Sequence, residues 1–290
     1  MNKIIFDCDN TMGVKERDVD DGLTLLYLLG NEKINLLGVT NTFGNSDIET
    51  VTKATQTLFN DLDITSKIPL YKGGGSIDDP ISDASKFLVK MVNKSPKEIT
   101  ILATGSLTNL YGAYMEDKDF FKKVKDIVIM GGILEPLIFN GKIMDELNLS
   151  SDANAAYNVL SSDANITLIS AQLCLQALFG KHESNRVLEE QKPIFNYIRK
   201  MTLPWYEFIK KKYGIEGFHN WDIVAAVYIT NPELFDENIV KVGSTVEDLK
   251  TGFIRKDSSE KSYKLNIPIH INDKDKFNDT IFDSWNNVEY

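Results

Sequence analysis

The sequence predicts an α/β fold, a Rossmann-like, doubly wound and mostly parallel sheet with helical additions and small antiparallel strands near the C-terminus. Three observations predict it. Short apolar runs alternate with helical patterns through the first half of the chain. Runs such as NLLGVT and ITILATG are almost continuously apolar, as strands buried on both faces require. Several helical stretches open on Asp or Ser, whose side chains satisfy the free N–H groups of a first turn. A strand at 3–8 leads into a Leu-rich helix at 21–30. Strands follow at 35–41, 67–71, 98–104, 126–131 and 166–171, with helices at 47–61, 82–93, 106–115 and 152–161 between them. Beyond residue 180 the pattern turns helical, over 183–213 with breaks at Pro193 and Pro204, then over 221–230. Segments 238–247, 251–256 and 262–270 read as short antiparallel strands, and 274–286 as a closing helix. No repeat, low-complexity tract or linker divides the chain, so residues 1–290 are expected to form one domain. The glycines at 73–75 lack the lysine and spacing of a phosphate loop and read as a turn.

The 290 residues are 42% hydrophobic and 26% charged, ordinary for a folded soluble protein. A net charge of −10 argues against duplex nucleic acid or an anionic membrane as partner and favours a small neutral substrate or a cation. The same acidity also serves solubility. Cys8 and Cys174 lie inside apolar runs and read as buried thiols of a reducing compartment. The start MNKIIFDCD is charged too soon for a signal peptide, and no apolar run approaches membrane-spanning length, so a cytoplasmic protein is expected.

Five aspartates crowd one strand–loop–helix unit, IIFDCDNTMGVKERDVDDGLTLLYL at 4–28. Asp7 and Asp9 end the apolar run, Asp18 lies in the loop, and Asp20 and Asp21 open the helix. Carboxylates gathered at one strand end repel unless a cation or a shared proton relieves them. Oxygen donors of this kind suit Ca²⁺ or Mg²⁺. In a doubly wound sheet, ligands bind at the carboxyl ends of the strands, which is where these residues fall.

Two families resemble this opening. IIFDCDNT is similar to the Asp-x-Asp-x-Thr signature of haloacid-dehalogenase-like phosphatases, which would make Asp7 a nucleophile, Asp9 an acid/base and Thr11 a helper in a Mg²⁺-dependent reaction. That family's later Gly-Asp-x-x-x-Asp motif is absent. DCDN…DVDDGLTLLYLL resembles instead the Asp-x-Asp…Asp-Asp signature of inosine–uridine-type nucleoside hydrolases. The likeness continues, in that family's order, through VTNTFGN at 39–45, LATGSLTNL at 102–110, IVIMGG at 127–132, DELNLSSDANAA at 145–156 and WDIVAAVYITNPELF at 221–235.

The second resemblance implies an N-ribosyl hydrolase acting on a small-molecule nucleoside. Asp9, Asp21, Asp222 and the carbonyl of Thr104 would bind Ca²⁺, Asp20 would be the general base on the calcium-held water, and Asp7 would belong to the surrounding hydrogen-bond shell. Asn45, Asn140, Glu146 and Asn148 would hold the ribose hydroxyls, with Met130 against the sugar. Trp221 stands where base-unspecific members carry histidine and purine-specific members carry Trp. An indole stacked on a purine favours its protonated form, because a π face attracts a cation; the alternative is plain packing at a helix start. Trp205 and Tyr206 lie where the family places aromatics near the base, and His219 is an alternative proton donor. The family also implies a homodimer or homotetramer. A non-catalytic nucleoside-binding protein is the remaining alternative.

The chemistry asks for the same residue types. Cleaving an N-glycosidic bond needs an activated water, negative charge near an oxocarbenium-like centre and oriented ribose hydroxyls. Departures from the family pattern are local. Ten residues, NTMGVKERDV, separate Asp9 from Asp20 where the family has about three, and they bring Asp18 as a rival to Asp20 and Asp21. This insertion reads as a longer surface loop, or as a cover for the site in which Lys15 and Arg17 would suit an anionic 5′ substituent. SAQLCLQA at 170–177 lacks the family's Asp-Val-Thr, and Leu147 replaces a phenylalanine in DELN.

Overall fold

The computed structural model describes residues 1–257, 259 and 262–290. Its strands, in chain order, are β1 (Asn2–Cys8), β2 (Ile34–Asn41), β3 (Leu70–Lys72), β4 (Ile99–Ala103), β5 (Asp126–Met130), β6 (Leu137–Phe139), β7 (Lys142–Met144), β8 (Ile166–Ile169), β9 (Leu178–Gly180), β10 (Gly217–His219), β11 (Ile239–Val242) and β12 (Tyr263–Asn266). Eight of them form one sheet in the order β11-β12-β8-β5-β4-β1-β2-β3. From β3 to β8 every neighbour pair is parallel, and β12 joins β8 in parallel through Asn266 and Thr167. Only the edge pair β11–β12 is antiparallel. The chain runs outward from β1 through β2 to β3, then returns to the other side of β1 for β4, β5 and β8. The reversal between β1 and β4 opens a crevice at their carboxyl ends.

Side-chain alternation along each strand feeds two apolar layers. Ile4, Phe6 and Cys8 of β1, Leu102 of β4 and Val128 of β5 enter one layer with the helices Asp20–Gly30, Trp221–Thr230 and Lys274–Asn286. Ile5, Ile101, Ile127 and Ile129 enter the other, against the helices Asp83–Lys94, Thr108–Glu116 and Ala153–Leu160. A period of two in a buried strand produces this division. Among the described residues, no helix is long and apolar enough to cross a membrane.

The α/β architecture expected from the sequence is present, and helices 221–230 and 274–286 have the expected bounds. Three local expectations are corrected. Pro204 does not break its helix, which runs Pro193–Tyr213. Pro204 and Lys200 are both exposed, so water can serve the carbonyl that the proline leaves without a partner. Segment 251–256 makes only isolated bridges, Phe253 to Ile133 and Lys256 to Val242. The strand expected over 238–247 stops at Val242, because Thr245 and Asp248 close a reciprocal capping box on a helical turn, Val246–Leu249. Finally, the hairpins β6–β7 and β9–β10 were not anticipated.

Trp285 locks the closing helix to the aspartate-bearing one. It is fully buried, and its Nε1 donates to the Leu23 carbonyl at 3.0 Å. Trp285→Ala is expected to lower unfolding stability by about 3–5 kcal/mol, read as a lower urea midpoint with an unchanged slope.

Candidate active site

Two helix N-termini meet the carboxyl ends of β1 and β4. Asp20 and Asp21 are the first residues of the helix Asp20–Gly30, and Asp222 is the second of Trp221–Thr230. The partial positive charge of a first turn favours carboxylates there. Oxygens of Asp20, Asp21 and Asp222 all lie within 4.8 Å of one another, and all three residues are buried. Three like charges at that spacing repel by about 10 kcal/mol in total at an effective dielectric of 20. That is comparable to the whole stability of a domain, about 5–15 kcal/mol, so the trio is stable only with protons or a cation. Burial pushes the carboxyls of Asp21 and Asp222 well up, and the charges of neighbouring aspartates push them further.

Asp9 extends the cluster beside Asp21, and its charge helps push the Asp21 carboxyl up. It accepts from the Asn45 backbone N–H at 2.6 Å and from Asn45 Nδ2 at 3.1 Å, and burial pushes it up to about 6. Gly44 lets this loop approach: a Cβ there would stand 2.0 Å from Asp9 Oδ2. Thr104 donates its hydroxyl to Asp21 Oδ1 at 2.6 Å. The Asp222 N–H reaches Asp20 Oδ2 at 3.4 Å. Asp18 is half-buried beside Asp20, its Oδ1 held by the Val19 N–H at 2.7 Å. It lines the cavity but stands outside the trio.

Asp7 is fully buried, accepting at Oδ1 from Thr40 at 2.5 Å and Asn109 at 2.7 Å, and burial pushes it up to about 7. It does not line the cavity. Its place is in the shell behind Asp9. A divalent cation fits the cluster on two counts. Every donor is a hard oxygen, and Asp21 Oδ2 is buried with no hydrogen-bond partner.

Above the carboxylates lies a cavity of about 420 Å³. Asp20, Asp222 and Thr104 form its floor, and Asn45, Met130, Glu146 and Asn148 one side. Glu146 accepts from the N–H groups of Gly132, Leu149 and Ser150, which fixes its carboxylate. Asn148 donates to the Met130 carbonyl at 3.1 Å. The opposite side is aromatic. His219 at the end of β10 lies 5.1 Å from the Trp221 ring and 5.6 Å from Phe139. Trp205, Ile209 and Tyr213, four residues apart, face it from the long helix.

Two expected site residues, Asn140 and Tyr206, do not line the cavity. Asn140 is exposed at the tip of the β6–β7 hairpin, where it and Gly141 both take positive φ, 50° and 73°. Asn-Gly is the usual pair for such a two-residue turn, so the signal for the hairpin was present in FNGK. Tyr206 packs beside the core and does not line the cavity, because one step along a helix turns a side chain by about 100°. The sequence reading missed Leu137 and Met144 of the hairpin, and also Ile209, Lys212 and Tyr213. The four-residue spacing from Trp205 was the available signal for Ile209 and Tyr213.

Two outcomes follow from this geometry. Relieving one buried charge, Asp222→Asn raises the melting temperature of chelator-stripped protein by a few degrees and removes the further rise that a divalent cation gives the parent. His219 is half-buried, and loss of hydration lowers it from 6.5 to about 4. The unfolded chain therefore binds a proton that the folded chain refuses, and stability falls as pH drops from 6.5 to about 4. His219→Phe reduces that acid loss by about 2–3 kcal/mol in denaturation curves taken at pH 7 and pH 4.

The family model described as inosine-uridine preferring nucleoside hydrolase matches residues 4–279. Uridine nucleosidase 1 of Arabidopsis thaliana is 29% identical over 245 residues, covering 75% of this chain and 72% of that protein. The inosine-uridine preferring nucleoside hydrolase of Leishmania major is 25% identical over 268 residues, 83% of this chain and 82% of its own. Two solved structures share the fold: a plant nucleoside hydrolase (TM-score 0.85, 20% identity, 98% of both chains) and the purine-preferring ribonucleoside hydrolase of Gardnerella vaginalis (0.83, 21%, 99% of both). The chain thus belongs to the inosine-uridine preferring nucleoside hydrolase family, metal-dependent enzymes that hydrolyse the N-glycosidic bond of nucleosides.

Proposed function

We propose that the protein is a calcium-dependent hydrolase of purine ribonucleosides, releasing free base and ribose in cytoplasmic nucleoside salvage. The observation that carries this reading is the buried Asp20–Asp21–Asp222 trio beneath an aromatic wall that includes Trp221. Asp9, Asp21, Asp222 and the Thr104 carbonyl would hold Ca²⁺. When bound, the ion supplies positive charge that lowers the pKa of a water and neutralises the crowded carboxylates.

The remaining work belongs to the chain. Asn45, Glu146 and Asn148 orient the ribose hydroxyls, and Met130 packs against the sugar. As the bond from C1′ to the base nitrogen breaks, the surrounding carboxylates favour the positive charge that builds on the ribose. Asp20 takes a proton from the attacking water. The Trp221 ring favours a protonated purine as it leaves, the proton coming from solvent. His219 is held neutral at pH 7 and is therefore a poor cationic acid, which supports the role given to Trp221. The buried free thiols Cys8 and Cys174 suit a reducing compartment. The family's homodimer or homotetramer belongs to the same reading, and the exposed pair Ile138 and Ile143 on the hairpin supports it.

The test is ribose release from inosine, guanosine and uridine after EGTA treatment and after Ca²⁺ is restored. Restored cleavage of the two purine nucleosides, with uridine at least about 10-fold slower, is expected, a ratio worth about 1.4 kcal/mol at the transition state. Equal cleavage of uridine removes Trp221 as a purine filter. No release from any of the three overturns the reading. Asp20→Asn is expected to lower kcat by about 10²–10⁴ with Ca²⁺ present.

A further inference from the structure

The aromatic side of the cavity carries an imidazole that the hydrolytic step leaves idle. Phe218, fully buried and stacked on Phe179 at 4.9 Å, anchors β10 in the core. His219 follows it, half-buried, and lines the cavity. The rings of Phe139 and Trp221 flank it at 5.6 and 5.1 Å. Nδ1 is buried without a hydrogen-bond partner. Among the described residues nothing bonds Nε2 either, but that nitrogen is not closed off from solvent as Nδ1 is. Burial keeps the ring neutral at pH 7, so it carries a single proton. A buried N–H without an acceptor is rarer than a buried acceptor without a donor. The proton therefore belongs on Nε2, the nitrogen that the cavity can reach.

The other polar groups on this wall have the same sense. Trp205 Nε1 is buried with no partner, and an indole N–H can only donate. Lys212 also lines the cavity, its ammonium 5.0 Å from the Tyr213 ring, and it too can only donate. Among the side chains on this side, the Tyr213 hydroxyl is the one cavity-facing group that can also accept. Purines differ where such a wall would meet them. Beside the N7 acceptor, a 6-oxopurine presents an oxygen that accepts, and a 6-aminopurine presents an amino group that donates.

We infer that His219 is a specificity-determining residue whose Nε2–H donates to the C6 oxygen of the purine, so that the enzyme selects 6-oxopurine nucleosides over 6-aminopurine ones. The inference rests on the hydrolase reading above and adds to it the exocyclic group of the base. No bond forms or breaks at His219. As the bond from C1′ to the base nitrogen breaks, its electron pair passes to the purine and the C6 oxygen becomes more negative. The hydrogen bond from His219 then strengthens. An amino group in the same place sets donor against donor and leaves both unmet.

The experiment measures cleavage of inosine, adenosine and purine riboside, which carries hydrogen at C6, by the calcium-restored parent and by His219→Phe. Comparing each substrate between the two proteins cancels the intrinsic leaving ability of its base. The inosine-to-adenosine ratio of kcat/KM is expected to fall at least about 10-fold in the variant, and the inosine-to-purine riboside ratio to fall with it. His219→Gln, whose amide can donate, is expected to restore inosine cleavage toward the parent. With three histidines in the chain, nitrogen-15 NMR of the parent can resolve His219. The expected spectrum is that of the Nε2–H tautomer at pH 7, with its proton signal moved by hypoxanthine and not by adenine. Unchanged ratios, or a variant that slows all three nucleosides equally, overturn the inference and keep the hydrolase. If no nucleoside is cleaved, the hydrolase reading fails, and the NMR titration with the two free bases alone decides the contact.

Discussion

Everything in this protein is arranged around the burial of like charges. Asp9, Asp20, Asp21 and Asp222 are buried together, and oxygens of Asp20, Asp21 and Asp222 lie within 4.8 Å of one another. An apolar core would be cheaper, because buried carboxylates cost several kcal/mol each unless paired. The chain tolerates them because the frame on either side is stiff. Parallel strands with both faces covered fix the ends of β1 and β4, and the helix bearing Asp20 and Asp21 is buried along nearly its whole length. Such a frame holds the carboxylates in place for a cation without collapsing onto them or letting them part.

The polar neighbours divide the work. Asn45 gives both donors to Asp9, Thr104 gives its hydroxyl to Asp21, and Thr40 with Asn109 stabilises Asp7 behind them. Both oxygens of Asp9 are bonded, whereas at Asp7 and Asp21 the bonds reach Oδ1 and leave Oδ2 free. At Asp21 the free oxygen is buried and unpartnered, a cost that persists only where something else completes it. The aromatic side obeys a different rule. His219, Trp221, Phe139 and Tyr213 form a chain of ring contacts, three of whose members line the cavity. One side of the cavity is therefore polar and held by hydrogen bonds, and the other is largely aromatic and apolar.

Much of this was legible in the sequence because it is written locally. Continuous apolar runs identify buried parallel strands, and Asp-Asp before a Leu-rich stretch identifies a helix start. The carboxylates then fall at strand ends by arithmetic. Asn140 and Tyr206 do not line the cavity, and their positions depend on a turn type and on a helix phase. Asn140 takes the left-handed conformation of a hairpin turn, and Tyr206 lies one residue of helix rotation from Trp205.

The sequence by itself determined the α/β class, the strand ends that carry Asp7, Asp9 and Thr104, and the two helix starts that carry Asp20, Asp21 and Asp222. Those features follow from short-range periodicity and capping, which few neighbours can overturn. The tertiary structure alone decided which carboxylates meet, since Asp20 and Asp222 are 202 residues apart and come together only when the sheet reverses between β1 and β4. It also decided that the hairpin β6–β7 lends Leu137 and Met144 to the cavity, and that the insertion lines a second, basic cavity as well as, through Arg17 and Asp18, the one over the aspartates. Long-range packing makes those choices, because only the assembled layers determine which loop ends face one another.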